Sequence, residues 1–417
     1  MTEKIWLIRK EAKAGAIILV KELGIIKEAW RTKMTEEIVI VGGGLVGLSQ
    51  AIALAQEGLK IIVIDREVAD TQLQPQFDGR TCAIAWKSYK FLDKIGVWKY
   101  IAEHAQPIND IRVSEFGSSL FLHFDHSEIG NEPFGFIVEN RHTRYALYKR
   151  AEELPNLQII APAEVVEVMD DRRQVIVKKD NNLMPITYNL LIAADGRKSK
   201  IREMLGIKTS GRDYKQHGIV CTIEHEKPHM GLAHEYFLPT GPFAVLPMRG
   251  NLSSLVWTEP SNIAQIYMGL SEVEFNAEIA KRVKHLGKVK AVGGRWSYPL
   301  DLLHAEKYVS GNVVLVGDAA HGMHPIAGQG LNFGFRDVIA LTDVIINSYK
   351  LGLPLNLAQY EKERRLDNNL MLQATDKINL LFSNNIMPIK LARSLGLGLV
   401  NKIPQLRKVF MKYASGK

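Results

Sequence analysis

The stretch EIVIVGGGLVGLSQAIALAQEGLKIIVIDRE, residues 37–67, decides the fold of this chain. Ile38–Val41 is a β-branched run, which favours a buried parallel strand. Apolar residues at helical spacing come next, and the helix that they predict should stop at Gly58. Ile61–Ile64 predicts a second strand of the same kind. Strand, turn, helix and strand in this order indicate an α/β fold built on a parallel sheet.

Three glycines at the turn of this unit predict a dinucleotide site. Gly42, Gly44 and Gly47 form the pattern G-x-G-x-x-G. The first allows the bend, the second lets a pyrophosphate approach the backbone, and the third lets the helix pack on the strand. The helix N-terminus offers free N–H groups to phosphate. Asp65 ends the second strand, where its carboxylate can accept hydrogen bonds from ribose hydroxyls. These residues leave open whether the dinucleotide is FAD or NAD.

Two further strands are predicted to end in acidic residues. Leu190–Ala194 is an apolar run followed by Asp195-Gly196, and Val313–Val316 is another, followed by Gly317-Asp318. Because ligands of open α/β sheets bind at the carboxyl ends of parallel strands, three such acids indicate one large polar ligand. Taken alone, Asp195-Gly196 is also a turn signal, so the interpretation depends on the whole set.

A loop and the start of a helix follow the third acid, in AAHGMHPIAGQGLN, residues 319–332. Gly328-Gln329-Gly330 begins the predicted helix, whose backbone N–H groups suit an electron-rich partner. A flavin fits, because its pyrimidine edge becomes anionic on reduction, and Pro325 offers a rigid wall without a hydrogen-bond donor. His321 and His324 could suggest a metal. Cysteine partners and a nearby carboxylate set are missing, so no metal site is expected.

Composition and charge limit the classes of protein to which the chain can belong. Its 417 residues are 46% hydrophobic and 24% charged, which is typical of a globular protein with two or three core-forming units. Two cysteines imply no disulfide framework, and no apolar run is long enough to predict a transmembrane helix. The ends carry the net charge of +8, with +4 in residues 1–33, +8 in residues 377–417 and −4 between them. A slightly acidic body excludes a general nucleic-acid binder.

The motifs taken together resemble those of a known family. Gly42-x-Gly44-x-x-Gly47, Asp195-Gly196-x-x-Ser199-x-x-Arg202 and the run from Gly317 to Asn332 stand in the order found in single-component FAD-dependent aromatic monooxygenases, the group that includes para-hydroxybenzoate hydroxylase. The resemblance runs from about Met34 to the end of the chain. Stretches that resemble the ubiquinone-biosynthesis hydroxylases in particular are FDGRTCAIAWKSYKFLDKIGVW (77–98), GFIVEN (135–140), HEYFLPTGPFAVLPM (234–248), DVIALTDVI (337–345) and RRLDNNLMLQATDKINLLFS (364–383).

The resemblance implies FAD as the cofactor, NAD(P)H as the reductant and O₂ as the cosubstrate. It assigns no catalytic residue, because the flavin carries the chemistry; Pro325 and Gln329 would line the flavin. Arg80 and Arg144 would counter the charge of the pyrophosphate. The FAD-binding residues that the resemblance implies are Gly42, Gly44, Gly47, Asp65, Arg80, Arg144, Asp195, Gly196, Asp318, Pro325, Gly328, Gln329, Gly330 and Asn332.

The implied fold is α/β, with a discontinuous Rossmann-type FAD-binding domain, an inserted, mainly antiparallel β substrate domain and C-terminal helices. The FAD-binding domain is expected to be discontinuous because the three strand-ending acids belong to one sheet but lie far apart in sequence. The expected segments are 34–104, 137–207 and 299–365 for the FAD-binding domain, 105–136 and 208–298 for the substrate domain, 366–417 for basic C-terminal helices, and 1–33 for an N-terminal extension outside the core.

The implied reaction is hydroxylation of the aromatic ring of a polyprenylated phenol in ubiquinone biosynthesis, through NAD(P)H reduction and a C4a-hydroperoxyflavin. The protein would supply orientation and a pocket that excludes water. Two other functions stay open. One is a sibling FAD enzyme such as a polyprenyl reductase, and the other is an inactive flavoprotein that scaffolds a membrane-bound biosynthetic assembly.

The tail suggests contact with a membrane. Apolar residues recur at spacings of three or four from Ile389 to Phe410, with a border of Lys and Arg and no acid. Such a stripe suits a helix lying on anionic lipid; the alternative is that it packs on the FAD-binding domain. We therefore expect a cytoplasmic protein associated peripherally with the inner membrane. Its expected partners are the polyprenyl phenol, an anionic membrane surface and a ubiquinone-biosynthesis complex, but no nucleic acid.

Overall fold

A computed structural model describes residues 37–323 except Pro75 and Phe77, residues 330–382, and tail residues 400, 401, 403–405, 407, 408 and 411. The predicted extension 1–33, three predicted flavin-lining residues (Pro325, Gly328 and Gln329) and most of the apolar stripe of the tail lie outside the described residues. Within the part of the chain that is described, no helix is long and apolar enough to cross a membrane.

Strands and helices alternate in the first part of the chain, and long strands dominate its middle. The strands of the described residues are β1 (Ile38–Val41), β2 (Ile61–Ile64), β3 (Thr81–Ala85), β4 (Gln106–Ile108), β5 (Asp110–Glu115), β6 (Phe121–Asp125), β7 (Gly135–Glu139), β8 (Leu157–Ile160), β9 (Glu164–Met169), β10 (Gln174–Lys179), β11 (Asn182–Thr187), β12 (Leu190–Ala193), β13 (Thr209–His225), β14 (Leu232–Leu238), β15 (Gly241–Met248), β16 (Leu252–Pro260), β17 (Val289–Ala305), β18 (Val309–Ser310), β19 (Val313–Leu315) and β20 (His321–Gly322). The α-helices are α1 (Leu45–Ala55), α2 (Ala69–Gln72), α3 (Trp86–Lys94), α4 (Asn140–Glu152), α5 (Lys200–Met204), α6 (Ser261–Gly269), α7 (Glu272–Arg282), α8 (Gly330–Leu351) and α9 (Leu357–Phe382).

A six-stranded sheet in the order β18-β19-β12-β1-β2-β8 carries the predicted parallel strands. β19, β12, β1, β2 and β8 run parallel, and the edge strand β18 is antiparallel to its neighbour. All residues of β1, β2 and β12 are buried, as their β-branched and aliphatic runs predicted. The sheet therefore brings the carboxyl ends of β2, β12 and β19 to one edge, and the predicted α/β class is confirmed.

Two strands of this sheet end one residue earlier than the sequence predicted, at Ala193 and at Leu315. In both cases the next residue still makes a backbone hydrogen bond to the neighbouring strand. Ala194 donates to the carbonyl of Val41 at 2.8 Å, and Val316 donates to that of Ala193 at 3.0 Å. The parallel hydrogen bonding thus reaches the predicted residues.

Helix α1 lies between helices α4 and α8. Gln50 of α1 donates a hydrogen bond to the hydroxyl of Thr342 in α8 at 2.9 Å. α1 ends at Ala55, and Gly58 then turns the chain towards β2 with φ +92°. A positive φ of this kind favours glycine, which is why the chain reverses there.

An eight-stranded sheet in the order β20-β17-β13-β16-β15-β14-β5-β6 forms the second large layer. Its neighbouring strands are antiparallel apart from the parallel pair β14–β5. Helices α6 and α7 cover one face, where Phe243, Trp257 and Phe275 are fully buried. The other face is free of these helices and lines a cavity that is described below.

The expected division into domains remains a prediction, and one strand bears on its boundaries. β17 continues in the eight-stranded sheet to Ala305, past the predicted boundary between residues 298 and 299. Two small antiparallel sheets, β3-β7-β4 and β11-β10-β9, complete the described strands.

Candidate functional site

The glycine turn between β1 and α1 is tight at two glycines and open at the third. Gly42 has φ +102°, and a β-carbon there would overlap the carbonyl group of Ala194. A β-carbon at Gly47 would overlap the carbonyl oxygen of Gly42, so this glycine allows α1 to approach the turn. A β-carbon at Gly44 would have no heavy atom of the described residues within 4 Å. The first and third glycines thus build the turn, and the second leaves its surface open to a ligand.

Asp65, at the end of β2, lies beside this turn. One of its carboxylate oxygens accepts a hydrogen bond from the backbone N–H of Gly43. The other accepts hydrogen bonds from the backbone N–H of Glu67 at 2.7 Å and from Gln72 Nε2 at 3.3 Å. The carboxylate is therefore fixed in orientation, and it lines the same cavity as Gly44.

Asp195 follows β12, on the opposite side of β1 from Asp65. Its Oδ2 accepts a hydrogen bond from the backbone N–H of Ile201 at 3.1 Å. Its Oδ1 is buried and has no hydrogen-bond partner among the described residues. Gly196, next to it, has φ +82° and open space around its Cα. Because an unpaired buried carboxylate oxygen is costly, Asp195 Oδ1 is suited to accept a hydrogen bond from a ligand hydroxyl.

Asp318 follows β19 and is exposed between two buried neighbours, Gly317 and Ala319. Its side chain is 47% exposed, and its carboxylate lies 3.5 Å from Arg197 Nε. Arg197 also forms an ion pair with Asp301. Asp318 therefore presents a carboxylate to the space in front of the sheet edge, as a strand-ending acid should.

Arg202 joins the two loops that carry these acids. One of its terminal nitrogens donates to the carbonyl of Ala319 at 2.8 Å, and the other donates to that of Arg197 at 2.9 Å. Ser199 caps helix α5 by accepting a hydrogen bond from the backbone N–H of Arg202 at 3.0 Å. The serine and arginine of this sequence motif therefore fix the loops that present the acids.

Asp78 organises a polar cluster that the sequence did not reveal. It is buried, and it accepts hydrogen bonds from Arg80 Nε at 2.8 Å, Asn140 Nδ2 at 2.9 Å and Arg144 NH2 at 2.6 Å. Burial alone would raise the pKa of Asp78, but these donors hold it well below its usual range. The only signal in the sequence was an aspartate two residues before an arginine, in D-G-R, which also reads as a turn.

The two predicted pyrophosphate arginines share this cluster but face different spaces. Arg144 lines the cavity of Asp65 and Gly44, whereas Arg80 lines a second cavity with Asp318. The two guanidinium groups and the Asp78 carboxylate together carry a net charge of +1, which suits an anionic ligand nearby. The roles of Arg80 and Arg144 towards a pyrophosphate remain a prediction.

The two cavities meet at Gly196, which lines both. The first has a volume of about 270 Å³ and holds the glycine turn, Asp65 and Asp195. The second, of about 500 Å³, extends from Asp318 to one face of the eight-stranded sheet. A larger groove of about 760 Å³ lies along α8 and the start of α9, but none of the predicted binding residues lines it. Eight of the predicted residues line the smaller, joined pair: Gly42, Gly44, Asp65, Arg80, Arg144, Asp195, Gly196 and Asp318.

Helix α8 begins at Gly330, where a β-carbon would meet no heavy atom of the described residues within 4 Å. Asn332 is buried and joins the start of this helix to β3. Its amide nitrogen donates to the carbonyl of Ala83 at 2.7 Å, and its amide oxygen accepts from the backbone N–H of Ala85 at 2.9 Å. Its predicted place beside a cofactor, like that of Gly330, remains a prediction.

His321 is buried and contacts a carboxylate inside the fold. Its Nε2 lies 2.6 Å from Asp337 Oδ2, which also accepts from the backbone N–H of Gly317 at 2.8 Å. Arg364 Nε donates to the other oxygen of Asp337 at 2.7 Å. The described residues contain no group of three His, Cys, Asp or Glu side chains placed to hold a metal ion, and His324 lies outside them.

The site suits FAD in three respects. The open surface at Gly44 can receive a pyrophosphate on backbone N–H groups. Asp65 and the unpaired oxygen of Asp195 can accept hydrogen bonds from sugar hydroxyls. Two cavities joined at Gly196 give separate spaces for the adenosine and flavin ends of a long molecule. The residues present therefore fit this cofactor.

Known proteins resemble this chain over most of its length. The sequence model of the FAD binding domain family matches residues 35–375. The chain is 46% identical over 385 residues to ubiquinone hydroxylase UbiL of Rhodospirillum rubrum, covering 91% of this chain and 89% of that protein. It is 34% identical over 396 residues to 3-demethoxyubiquinol 3-hydroxylase of Escherichia coli, covering 92% of this chain and 100% of that protein.

A solved structure with a similar fold is that of p-nitrophenol 4-monooxygenase PnpA from Pseudomonas putida DLL-E4. The two superpose with a TM-score of 0.77 over 91% of this chain and 98% of that one, at 20% identity. At this identity the likeness concerns the fold alone. It supports the predicted combination of a Rossmann-type layer, an antiparallel layer and C-terminal helices.

Proposed function

The chain belongs to the FAD binding domain family, and from this premise we propose that it hydroxylates the aromatic ring of a polyprenylated phenol in ubiquinone biosynthesis. FAD is the cofactor, NAD(P)H the reductant and O₂ the cosubstrate. Two relatives that match nearly the whole chain are named a ubiquinone hydroxylase and a 3-demethoxyubiquinol 3-hydroxylase, which supports this choice of substrate class.

The observation that carries the proposal is the two-sided character of the 500 Å³ cavity. Its polar side holds Arg80, Arg197 and Asp318, next to the cofactor residues. Its other side is a face of the eight-stranded sheet, which is mostly apolar and carries one carboxyl group, that of Glu235. An aromatic ring with a hydroxyl group and an aliphatic tail needs such a space beside the flavin. The apolar side chains that line this cavity are Val220, Ala244, Leu246, Val256 and Leu300 of the sheet and Met323 just beyond it.

The protein's part in the reaction is to hold the cofactor and the substrate in a dry space. Gly44, Asp65, Asp195 and Asp318 would hold FAD, which when bound and reduced supplies activated oxygen to the ring. The apolar wall would place the ring against the cofactor and exclude water, which protects the activated oxygen from hydrolytic loss. None of these steps requires a nucleophile from the protein.

Peripheral attachment to an anionic inner membrane is part of the same proposal, because a polyprenyl substrate resides in the bilayer. Ile403 and Lys408 are exposed in the described part of the tail, which supports contact with lipid. Other tail residues pack on the protein. Arg407 forms an ion pair with Glu128 at 2.6 Å, and Met411 is buried beside β5 and β6. A ubiquinone-biosynthesis complex would be reached at the same surface.

The test is turnover by the purified FAD-loaded protein, with NAD(P)H, isotopically labelled O₂ and a short-chain polyprenyl phenol in vesicles. We expect substrate-dependent O₂ consumption and a product heavier by one labelled oxygen atom in mass spectrometry. A product that gains two hydrogens in its tail would identify a polyprenyl reductase instead. FAD-loaded protein that oxygenates no polyprenyl phenol would overturn the proposal and favour a scaffold.

A further inference from the structure

Glu235 stands in the middle of β14, on the face of the eight-stranded sheet that lines the 500 Å³ cavity. It pairs with Ala244 of β15, which pairs with Val256 of β16. Val256 in turn pairs with Val220 of β13. Residues paired in this way share one face of a sheet, so the row consists of one carboxyl group followed by three small aliphatic side chains. All four line the cavity.

The carboxyl group of Glu235 is buried without a partner. The residue is 8% exposed, and its carboxyl group makes no hydrogen bond or ion pair with the described residues. Burial raises the pKa of Glu235 to about 8. A carboxyl group with this pKa exchanges its proton near neutral pH, whereas an ordinary glutamate is fully ionised there.

The other ionisable groups of the cavity are already engaged. Arg80 is bonded to Asp78, and its guanidinium lies 4.8 Å from the ring centre of Tyr298. The hydroxyl of Tyr298 donates to Asp78 at 3.4 Å. Asp318 faces Arg197 at 3.5 Å. Among the acids that line the cavity, Glu235 therefore forms no ion pair with a cationic side chain of the described residues.

We propose that Glu235 is the catalytic residue that accepts the proton of the substrate's phenol group. This inference rests on the proposed function, because it requires a phenol as substrate and O₂ with NAD(P)H as the source of the transferred oxygen. The apolar row beside Glu235 would hold the ring, and the polar side of the cavity would hold the cofactor.

The proton transfer balances without a further reactant. The O–H bond of the phenol breaks, its electron pair stays on the oxygen, and the proton forms a bond to a carboxylate oxygen of Glu235. The phenolate pushes electron density to the ring carbon that receives the oxygen atom. That carbon then loses its hydrogen as a proton to water, and the electron pair of the C–H bond returns to the ring and restores aromaticity. Glu235 returns its proton to the phenolate oxygen.

The experiment compares Glu235→Gln with the parent protein on two polyprenyl phenols, one of them ring-fluorinated and therefore more acidic. With the ordinary phenol, we expect hydroxylation by the variant to be slower by about 100- to 10,000-fold, the usual contribution of a general base. With the acidic phenol the ratio of parent to variant rates should shrink towards one, because this phenol ionises without help. FAD content should not change, because Glu235 does not line the cavity that holds the glycine turn.

Glu259→Gln is the matched control. Glu259 is also a buried glutamate of the same sheet, at 3% exposure, but it accepts a hydrogen bond from Trp257 Nε1 at 2.7 Å and does not line the cavity. This variant should hydroxylate both phenols at the parent rate.

The outcomes separate this inference from the function on which it rests. If the parent hydroxylates both phenols and Glu235→Gln does so equally fast, or is slowed equally with both, Glu235 is not the base and the proposed function stands. If the parent hydroxylates neither phenol, the proposed function fails and the role of Glu235 fails with it.

Discussion

The six-stranded and eight-stranded sheets place their acidic residues in different surroundings. In the six-stranded sheet Asp65, Asp195 and Asp318 stand just beyond strand ends, where a backbone N–H group or a nearby arginine contacts each carboxylate. In the eight-stranded sheet Glu235 stands inside a strand among aliphatic side chains, where burial favours the neutral form. Strand-end acids are therefore suited to bind hydroxyl groups, whereas an acid inside a strand is suited to exchange a proton.

The largest expected effect concerns the glycine turn of the six-stranded sheet, where Gly47 is expected to be required for the fold and Gly44 for FAD binding. Gly47→Val should lower the free energy of unfolding by about 3 kcal/mol or more, because the new side chain meets backbone that cannot move aside. Gly44→Val should keep the fold but lose FAD, because its side chain enters the space open to the pyrophosphate. Thermal unfolding and FAD absorbance measure the two effects. Full FAD content in Gly44→Val would contradict the site.

The next effect concerns the pH dependence of the free energy of unfolding, to which the buried Glu235 should contribute. Folding raises the pKa of Glu235 from 4.5 to about 8. The protonated carboxyl group therefore makes its full contribution to the stability of the fold below pH 4.5. This stabilisation should be lost as the pH rises to about 8. The free energy of unfolding of the parent should therefore fall relative to Glu235→Gln by up to about 1.4 kcal/mol per pH unit. Urea unfolding of both proteins across this pH range measures the fall. If the free energy of unfolding changes equally with pH in the parent and in Glu235→Gln, Glu235 is not neutral in the fold.

Asp318→Ala should have a smaller effect, on the cofactor rather than on the fold. Losing a hydrogen bond from a cofactor hydroxyl to a carboxylate should weaken FAD binding by about 1.5–3 kcal/mol. The control is Asp301→Ala, which also removes a carboxylate from Arg197 but leaves the cavity lining intact. Flavin fluorescence gives both dissociation constants. Equal constants for Asp318→Ala and the parent would place Asp318 away from the cofactor.

The smallest effect concerns the tail. Lys408 is exposed, so Lys408→Glu should weaken binding to anionic vesicles, by about 1 kcal/mol for each unit of charge, and leave stability unchanged. Arg407→Glu should instead destabilise the fold, because it places two carboxylates together at Glu128. Vesicle sedimentation and thermal unfolding separate the two variants. Unchanged sedimentation of Lys408→Glu at physiological salt would leave the tail with a packing role only.

The sequence predicted four strands of the six-stranded sheet, β1, β2, β12 and β19, because the evidence for each is local. Each strand, its glycine and its acid are neighbours in the chain, so the pattern at Ile38–Val41 or Leu190–Ala194 needs no knowledge of distant residues. Asp78 was missed because its partners Asn140 and Arg144 lie more than 60 residues away and meet it through the pairing of β3 with β7. Glu235 was missed because only the pairing of β14 shows which of its faces lines the cavity.

The shared position of Gly196 has a consequence for how the cofactor is held. Because one residue without a side chain lines both cavities, ADP in the first and riboflavin in the second can be bound at the same time. Joined as FAD, the second half reaches its cavity at the high effective concentration set by the first. The apoprotein should therefore bind each fragment weakly and FAD tightly, and a side chain at position 196, where φ is +82°, would narrow the passage between the two cavities.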